Sequence, residues 1–567
     1  MAHLHKKMKK GRAYYYVRES TSIEGKTKII NQVYLGTPER IMQMAMAQGG
    51  TEILKLKTQE YGSVWLAEQL CKEVGLAELV DAVASKGPKK AGPTLGEYFL
   101  YAVINRMVDP RSKRALPEWY EGTAIQRIRP VELSALDSRG YWKKWENVEE
   151  SNIRAMAKSF FERVAEIEEG GRDCLLFDTT NFYTYLSDNT DSELAARGKN
   201  KDGKNWLRQV GVALLVSRKT RLPLFYQEYE GNRHDSKVFF RLMEEILSSN
   251  PEGELTVVFD KGMNSEENIT AIDQRAGVHF ITTYSPYFAQ DLIHVDQSKF
   301  QVVDTPKNKK LAEAGKEDDL LTAWRTTREL WGRERTVVVT YNPLTATKQR
   351  HRFEDKMLRL QSGLFELRSW GKNGRGATKG KVLKKYGELC ESLYLPSNLY
   401  DLDFGKSEKG VAMSFRKNAY RISRHIDRFG KNILVTDRVD WSTDEIVGAS
   451  LDRYIVEKAF RDAKDSELVR VHPMYHWTDG KIRCHLLVCA MALTLLRLLE
   501  LRLHRAGVSL SAKAAMRKMR RLNSCLCFFA DKRKPGRMIE EPSEDQANIL
   551  GAFGQRICRG VLQEPSV

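Results

Sequence analysis

Cysteine is scarce. The 567 residues hold eight, mostly inside apolar segments such as those around Cys174 and Cys489, which reads as reduced core thiols and excludes a disulfide-framed scaffold. Cys525 and Cys527 are too close for an ordinary bridge. Cys484, His485 and Cys489 fall on one predicted helix, with no second Cys/His cluster to complete a tetrahedral zinc site. Long apolar runs are missing too: the longest, Leu486 to Leu496, closes at Arg497, short of the roughly 18 uncharged residues that a membrane span needs. The leader MAHLHKKMKKGR is basic but lacks the apolar core of a signal peptide. These absences predict a soluble cytoplasmic protein with no membrane partner. There is no internal repeat and no low-complexity tract, and Ser, His and Asp occur without a nucleophile motif, which leaves serine-type hydrolysis unsupported.

Acid is in deficit. Asp and Glu number 74 against 92 Lys and Arg, a formal net charge of +18 with pI near 9.3, which favours a polyanionic partner, nucleic acid ahead of an acidic membrane surface. The length exceeds what one core supports, so about two to four domains are expected. Residues 1–60 carry two β-rich runs between Ala13 and Gly36, around the turn signal Ile23-Glu24-Gly25-Lys26, and predict a small hairpin followed by a short helix. Residues 61–170 change to helical period, with apolar stripes in Val64 to Val83, Leu95 to Val108 and Ile153 to Ile167. We read them as a helical DNA-binding region. Its stretch RMVDPRSKRALPEWY, Arg106 to Tyr120, suits either a surface that touches phosphates, with Trp119 stacking a base or packing a corner, or a solvated loop.

Residues 171–284 shift to short apolar runs: strands at Cys174 to Phe177, Val210 to Val216, Leu222 to Tyr229, Leu255 to Phe259 and Phe280 to Thr283, and a helix at Asp235 to Leu247. Three strands followed by strand-helix alternation predict an α/β fold, a mixed sheet covered by helices with its later strands parallel. Residues 285–436 read as a charged, partly β insertion, with strand-like pieces at Arg335 to Tyr341, Val411 to Phe415 and Asn432 to Val435. Its GKNGRGATKGK, Gly371 to Lys381, either tracks a phosphate backbone or is a loop. Residues 437–500 hold the helix discussed next and an apolar helix from His485 to Leu499. Residues 501–567 form a basic segment, tail-like over Ala514 to Arg537.

LDRYIVEKAFRDAK, Leu451 to Lys464, is predicted helical. At about 100° per residue, Arg453, Glu457, Phe460 and Lys464 share a narrow sector of one face over roughly 16 Å. Taken alone this is an ordinary amphipathic helix. Two other carboxylates sharpen it: Asp178 follows LLF and Asp260 follows VVF, each where a buried strand is predicted to end. After Asp260, Gly262 permits a tight turn and Asn264 can cap a helix whose first turn holds Glu266 and Glu267. Acids on strand ends can hold a hard divalent cation whose shell water and phosphate complete. With Glu457 added, three carboxylates suffice for two cations about 3.5 to 4 Å apart.

Together these residues resemble the DDE transposases of the IS4 superfamily, and more closely its IS1634-type group. The likeness covers most of the chain. It rests on LLFDTTNFYTY around Asp178, on KNKDGKNWLRQVGVALLVSRKTRLPLFYQEYEGNRHDS from Lys199 to Ser236, on VVFDKGMNSEEN around Asp260, and on IVEKAFRDAK through HPMYHWTDGKIRCH around Glu457. The family's helix signature, Tyr, two residues, Arg, three residues, Glu, six residues, Lys, is matched by Arg453, Glu457 and Lys464; Ser450 stands where it has Tyr, with Tyr454 nearby.

The resemblance implies a ribonuclease H-like catalytic core, a mixed sheet flanked by helices, with a β-rich insertion before the last catalytic helix and a mainly helical N-terminal region. It implies two Mg²⁺ or Mn²⁺ ions held by Asp178, Asp260 and Glu457, cleavage of double-stranded DNA at transposon inverted-repeat ends, and attack of the freed 3′-hydroxyl on target DNA. Arg453, Lys464 and Arg461 are the implied DNA contacts, and a homodimer on DNA is expected. Some relatives park a flipped base on a tryptophan of the insertion; Trp324, Trp331 and Trp370 lie in that region here, as base platforms or as packing residues. The alternatives are a stand-alone metal-dependent nuclease of the same fold and a non-catalytic DNA-binding derivative. GKNKDGKN, Gly198 to Asn205, nearly spells a phosphate loop, but Asn205 replaces the required Ser or Thr and a strand is predicted to follow. His234 and Asp235 are expected to serve structurally at a helix start.

Overall fold

Lys10 and Gly11 both take positive φ, 48° and 76°, the two-residue turn geometry that matches strand twist, and so fold the basic leader back as a strand. The computed structural model describes residues 2–23, 26–46, 53–84, 92–168, 171–187, 189–198, 203–239, 243, 254–286, 289–374, 377–407, 410–529 and 536–563. Ala2–Lys9, Arg12–Ile23 and Lys26–Gly36 form a three-stranded antiparallel sheet, one strand more than the predicted hairpin. The predicted turn residues Glu24 and Gly25 lie outside the described residues. A short helix, Pro38–Met46, follows and packs on Lys26–Gly36 and on the strand Ile53–Glu60.

The helical period of the next segment is realised in α1 (Gly62–Val74), α2 (Leu76–Val83), α3 (Leu95–Val108) and α4 (Glu150–Ile167). Gly75, at φ 70°, ends α1 and opens α2, and Thr94 with Glu97 forms a capping box at the start of α3. In the stretch from Arg106 to Tyr120, Arg111 and Arg114 are exposed, but its other cations and its tryptophan are buried, so Trp119 packs and does not present a face to a base. Arg106 is buried and donates to the Arg470 carbonyl at 2.9 Å. Lys113 is buried with its ammonium 4.8 Å from the Trp145 ring centre, and Trp119 is buried as well. These side chains join the helical region to the chain around Arg470.

The central sheet has ten strands among the described residues. Its middle consists of β1 (Cys174–Thr184), β2 (Arg208–Ser217), β3 (Pro223–Glu230), β4 (Leu255–Phe259) and β5 (Val278–Tyr284), in the order β3-β2-β1-β4-β5. The first three pair antiparallel; β4 runs parallel to β1, and β5 parallel to β4. The near-continuous apolar runs of β2 and β4 follow from burial on both faces. β1 does not stop at Phe177: it pairs with β2 through Thr184↔Arg208, so Asp178 sits inside a strand and not at its end. Of the helix predicted at Asp235 to Leu247, residues 235–239 and 243 are described and helical.

Most strands of the insertion join the central sheet. β6 (Thr322–Leu330), β7 (Arg333–Tyr341) and, much later, β8 (Lys431–Thr436) extend the same sheet beyond β5 in the order β5-β8-β7-β6. Between β7 and β8 stand the 31-residue α5 (Pro343–Asn373) and α6 (Lys379–Ser392), with the ribbon Tyr400–Lys406 and Val411–Lys417. Only a narrow seam of α5, Phe353, Met357, Leu360, Leu364 and Gly371, is buried, its apolar side chains sharing a cluster with Val382 and Tyr386 of α6. So narrow a stripe is why its sequence reads as charged and irregular. Gly371 to Lys381 links these two helices, with Arg375 and Gly376 outside the described residues.

After β8 come α7 (Thr443–Leu451), α8 (Tyr454–Lys464) and α9 (Asp479–Arg505). α9 is apolar enough to cross a membrane by composition, but it lies inside the protein, packed between α1, α3, α4, α8 and β3, as expected of a helix apolar on all sides. The C-terminal segment is not a tail. Helix Ala512–Met519 leads to strand Asn523–Phe529, which pairs with Ile53–Glu60 on one side and Gly536–Ile539 on the other; residues 530–535 lie outside the described set.

Candidate active site

The parallel register of β1 and β4 brings two acids abreast. Cys174↔Thr256, Leu175↔Val257 and Leu176↔Val258 are partners, and two residues beyond the last pair stand Asp178 within β1 and Asp260 immediately after the end of β4. Side chains alternate along a strand, which puts Asp178 on the face of Leu176 and Asp260 on that of Val258. That face belongs to the core cluster holding Ile455, Val456, Ala459, Phe460 and Ala463 of α8, and α8 packs on β1 and β2. The opposite face, with Phe177 and Phe259, belongs to a separate cluster.

Asp178 accepts the Thr179 N–H at 2.8 Å. Thr179 points to the opposite face, where its hydroxyl donates to Asp235 at 2.8 Å; Asp235 also accepts from the Tyr229 hydroxyl at 2.8 Å. Asp235, at the start of its helix, thus ties β1 to β3 beside Asp178, in keeping with a structural role.

Asp260 is held by three neighbours. It caps a single 3₁₀ turn by accepting the Lys261 N–H at 2.8 Å, accepts the Thr283 hydroxyl at 2.7 Å, and lies 3.6 Å from the Arg453 guanidinium. Burial pushes its pKa up, but the Thr283 hydroxyl, the Arg453 charge and the Lys261 N–H outweigh that and hold the carboxyl below its ordinary value. The following helix, Glu266–Asp273, is capped by Ser265 and not by Asn264, whose amide donates instead to the Thr283 carbonyl at 2.9 Å.

Glu457 lies in the first turn of α8, exposed, and its carboxylate makes no hydrogen bond or ion pair among the described residues. Arg453 stands just before the helix in helical conformation, its side chain 15% exposed. The turn between α7 and α8 is pinned by Arg218 to Asp452 at 2.7 Å. At the other end of α8, the Lys464 ammonium lies 5.7 Å from the ring centre of Phe182 on β1. The helix therefore runs along β1 with Arg453 at Asp260, Lys464 at Phe182, and Glu457 between them on the same sector. Arg461 and Tyr454 are exposed, and Ser450 ends in the last turn of α7.

The donor set is all carboxylate oxygen, which suits Mg²⁺ or Mn²⁺. It is not a ready-made cage: among the described residues no three Asp, Glu, His or Cys side chains stand close enough to hold a metal. Like charges explain this, since two carboxylates 4 Å apart repel by about 4 kcal/mol at a near-surface dielectric; here Arg453 supplies the counter-charge at Asp260. The three insertion tryptophans do not come together. Trp331 packs edge-on against Phe280 and Tyr284, Trp324 lies half-buried on β6, and Trp370 sits on α5 under the Lys385 ammonium at 4.0 Å. In the Gly198 to Asn205 stretch, Lys199 to Asp202 lie outside the described residues, and strand β2 follows as predicted.

Sequence reading misses Thr283, whose bond to Asp260 comes from 23 residues away; the paired threonines of FITTY at a parallel strand's end were the available signal. It also misses an aromatic row beyond the acids. Tyr183 stacks on His472 at 4.0 Å beneath the Lys204 ammonium, and Tyr185 stacks on Tyr475 at 5.1 Å, with Tyr185 and Tyr475 exposed. Those residues come from FYTY and HPMYHW, segments nearly 300 positions apart.

A family model described as the transposase DDE domain matches residues 169–495. No curated protein matches the chain in sequence. A solved structure, the cryo-EM structure of the piggyBac transposase synaptic complex with hairpin DNA, is similar over 81% of this chain and 79% of that one, at 9% identity and a TM-score of 0.38.

Proposed function

Because the chain belongs to the transposase DDE-domain family, whose model spans more than half of it, we propose that Asp178, Asp260 and Glu457 are its catalytic acids. The protein is a transposase, an enzyme that cleaves DNA and transfers the cut strand. The observation that supports the assignment is the matched register of Asp178 and Asp260 on the sheet face that α8 covers.

Asp178, Asp260 and Glu457 would hold the divalent ions, two in our reading, which would supply activation of the attacking oxygen and stabilisation of the leaving one. Asp260, its pKa held below the ordinary value, is ionised for that role at neutral pH. Arg453, mostly buried against Asp260, holds that carboxylate in place and screens it from the other acids. Lys464 and the exposed Arg461 face the strand being cut as phosphate contacts. We place the protein in the IS1634-type group of the IS4 superfamily, with a ribonuclease H-like core over β1–β5 and α8, two transposon ends as substrates, and a homodimer on DNA as the working assembly.

The test is a cleavage assay on duplexes bearing the DNA that flanks the gene. Asp178→Asn, Asp260→Asn and Glu457→Gln should each abolish Mg²⁺-dependent nicking and leave binding in EDTA unchanged. A variant that still nicks removes its residue from the site.

A further inference from the structure

The N-terminal sheet has a face that the catalytic reading does not use. Its strands pair Lys9↔Arg12, Lys7↔Tyr14 and His5↔Tyr16, and Tyr16↔Tyr34 across to the third strand. Alternation therefore gathers Lys7, Lys9, Arg12, Tyr14, Tyr16 and Tyr34 on one face. With Lys10 at the turn they line a concave surface of about 570 Å³. The tyrosines form its wall, with Tyr16 and Tyr34 centred 5.1 Å apart and Tyr14 and Tyr34 6.3 Å apart. Lys7, Lys9, Lys10 and Arg12 are all exposed. The first 18 residues contain six Lys or Arg and no Asp or Glu, and none of the four cations forms an ion pair among the described residues.

We propose that this face is a docking surface for duplex DNA, the hairpin tip entering the major groove with Lys7, Lys9, Lys10 and Arg12 on phosphates. Three physical facts select that occupant. A two-stranded β-ribbon fits the width of the major groove. Four exposed cations at a tight turn, none in an ion pair among the described residues, match the phosphate rows on either side of the groove. The tyrosine hydroxyls behind them add hydrogen-bond donors that reach sugar and phosphate oxygens. The proposal rests on DNA being the substrate, and it places the first grip on that DNA outside the catalytic sheet.

The experiment uses the full chain in EDTA, which keeps it independent of the catalytic assignment. Binding to a duplex carrying the flanking DNA, and to a scrambled duplex of the same length, is titrated against salt. Combined Lys7→Gln, Lys9→Gln, Lys10→Gln and Arg12→Gln should flatten the slope of log K against log salt by roughly 3 to 4, the release expected from four phosphate contacts. An equal charge loss at the exposed Lys307, Lys310, Lys316 and Lys348 should change it by less than about one. A photo-crosslinking residue replacing Tyr14 should attach to the duplex in the otherwise unaltered protein. An unchanged slope in the hairpin variant, an equal loss in the control variant, or absence of the Tyr14 crosslink overturns the proposal. Acid-to-amide variants that still nick would refute the catalytic reading and leave this result standing.

Discussion

Replacing Thr283 with valine isolates one hydrogen bond to Asp260. Thr283 is 8% exposed and lies on β5; its hydroxyl donates to Asp260 Oδ1 at 2.7 Å and accepts the Lys261 N–H at 2.9 Å. Valine keeps the shape and β-branching that a strand favours. The Lys261 N–H retains Asp260 Oδ1 as acceptor at 2.8 Å, so the loss falls on the carboxylate. A hydrogen bond to a charged group is worth about 1.5–3 kcal/mol. The Asp260 side chain is 48% exposed, so water restores part of this, leaving about 1–1.5 kcal/mol, which moves the pKa upward. The folded-state pKa is lowered, so the ionised form and its stabilisation are present above the ordinary Asp value and vanish as pH falls through the lowered one. The variant moves that loss upward. Nicking measured from about pH 3 to 7 should show an acid limb displaced upward relative to the parent. Thr282→Val, which removes a buried hydroxyl one residue away, should leave the limb in place. If both variants lose stability alike and neither moves the limb, Thr283 is a packing residue and our account of Asp260 fails.

Three other changes probe the scaffold. In Gly96→Ala the new Cβ would lie 2.0 Å from the Ala77 carbonyl oxygen where α2 and α3 meet, so the unfolding free energy should drop by about 3 kcal/mol or more; a drop under about 1 kcal/mol in urea titrations would show that the crossing yields. Lys113 is buried with no hydrogen-bond partner for its ammonium, and burial lowers its pKa well below 10.5. The native state therefore binds fewer protons than the unfolded chain below that value, so Lys113→Met should stabilise by about 1–3 kcal/mol near pH 6 and by less as pH rises; a variant less stable than the parent at every pH would contradict this. Burial pushes Glu228 from 4.5 up to about 7 despite Arg483 at 3.4 Å. The native state keeps a proton that the unfolded chain releases, so between those values the parent should lose stability relative to Glu228→Gln as pH rises, by at most about 3 kcal/mol. A pH-independent difference in denaturation midpoint would rule that out.

What the sequence discloses here is whatever burial alone dictates. β4 falls on Leu255–Phe259 as read, because a strand buried on both faces must be apolar throughout. α8 is legible through Ile455, Val456, Ala459 and Phe460 at helical spacing, and the sector holding Arg453, Glu457 and Lys464 does lie along β1. Features set by distant partners escape. β1 continues past Asp178 only because β2 supplies a ladder to Thr184. The leader becomes a strand because Lys10 and Gly11 accept positive φ, although lysine is not a residue one associates with that conformation. Arg106 and Lys113 read as surface cations because what buries them is distant in sequence: Arg106 reaches the Arg470 carbonyl, and Lys113 lies on the rings of Tyr141 and Trp145. Around the acids, the residues are readable but one contact is not: Arg453, expected on phosphate, also lies 3.6 Å from Asp260.

The pairing of Asn523–Phe529 with Ile53–Glu60 also sets a clock on the ribosome. The two strands are separated by more than 460 residues, which at about 5–20 residues per second takes roughly 20 to 90 s to synthesise. Through that interval Ile53–Glu60 must wait with its long-range partner unmade, and Lys55 and Lys57 along it discourage pairing with a neighbouring nascent chain. Helix Pro38–Met46 rests on this strand and on the leader sheet, so the leader gains its seat only when the last tenth of the polypeptide has emerged. A prematurely terminated transposase would keep every acid from Asp178 to Glu457 and still lack a firmly mounted N-terminal sheet.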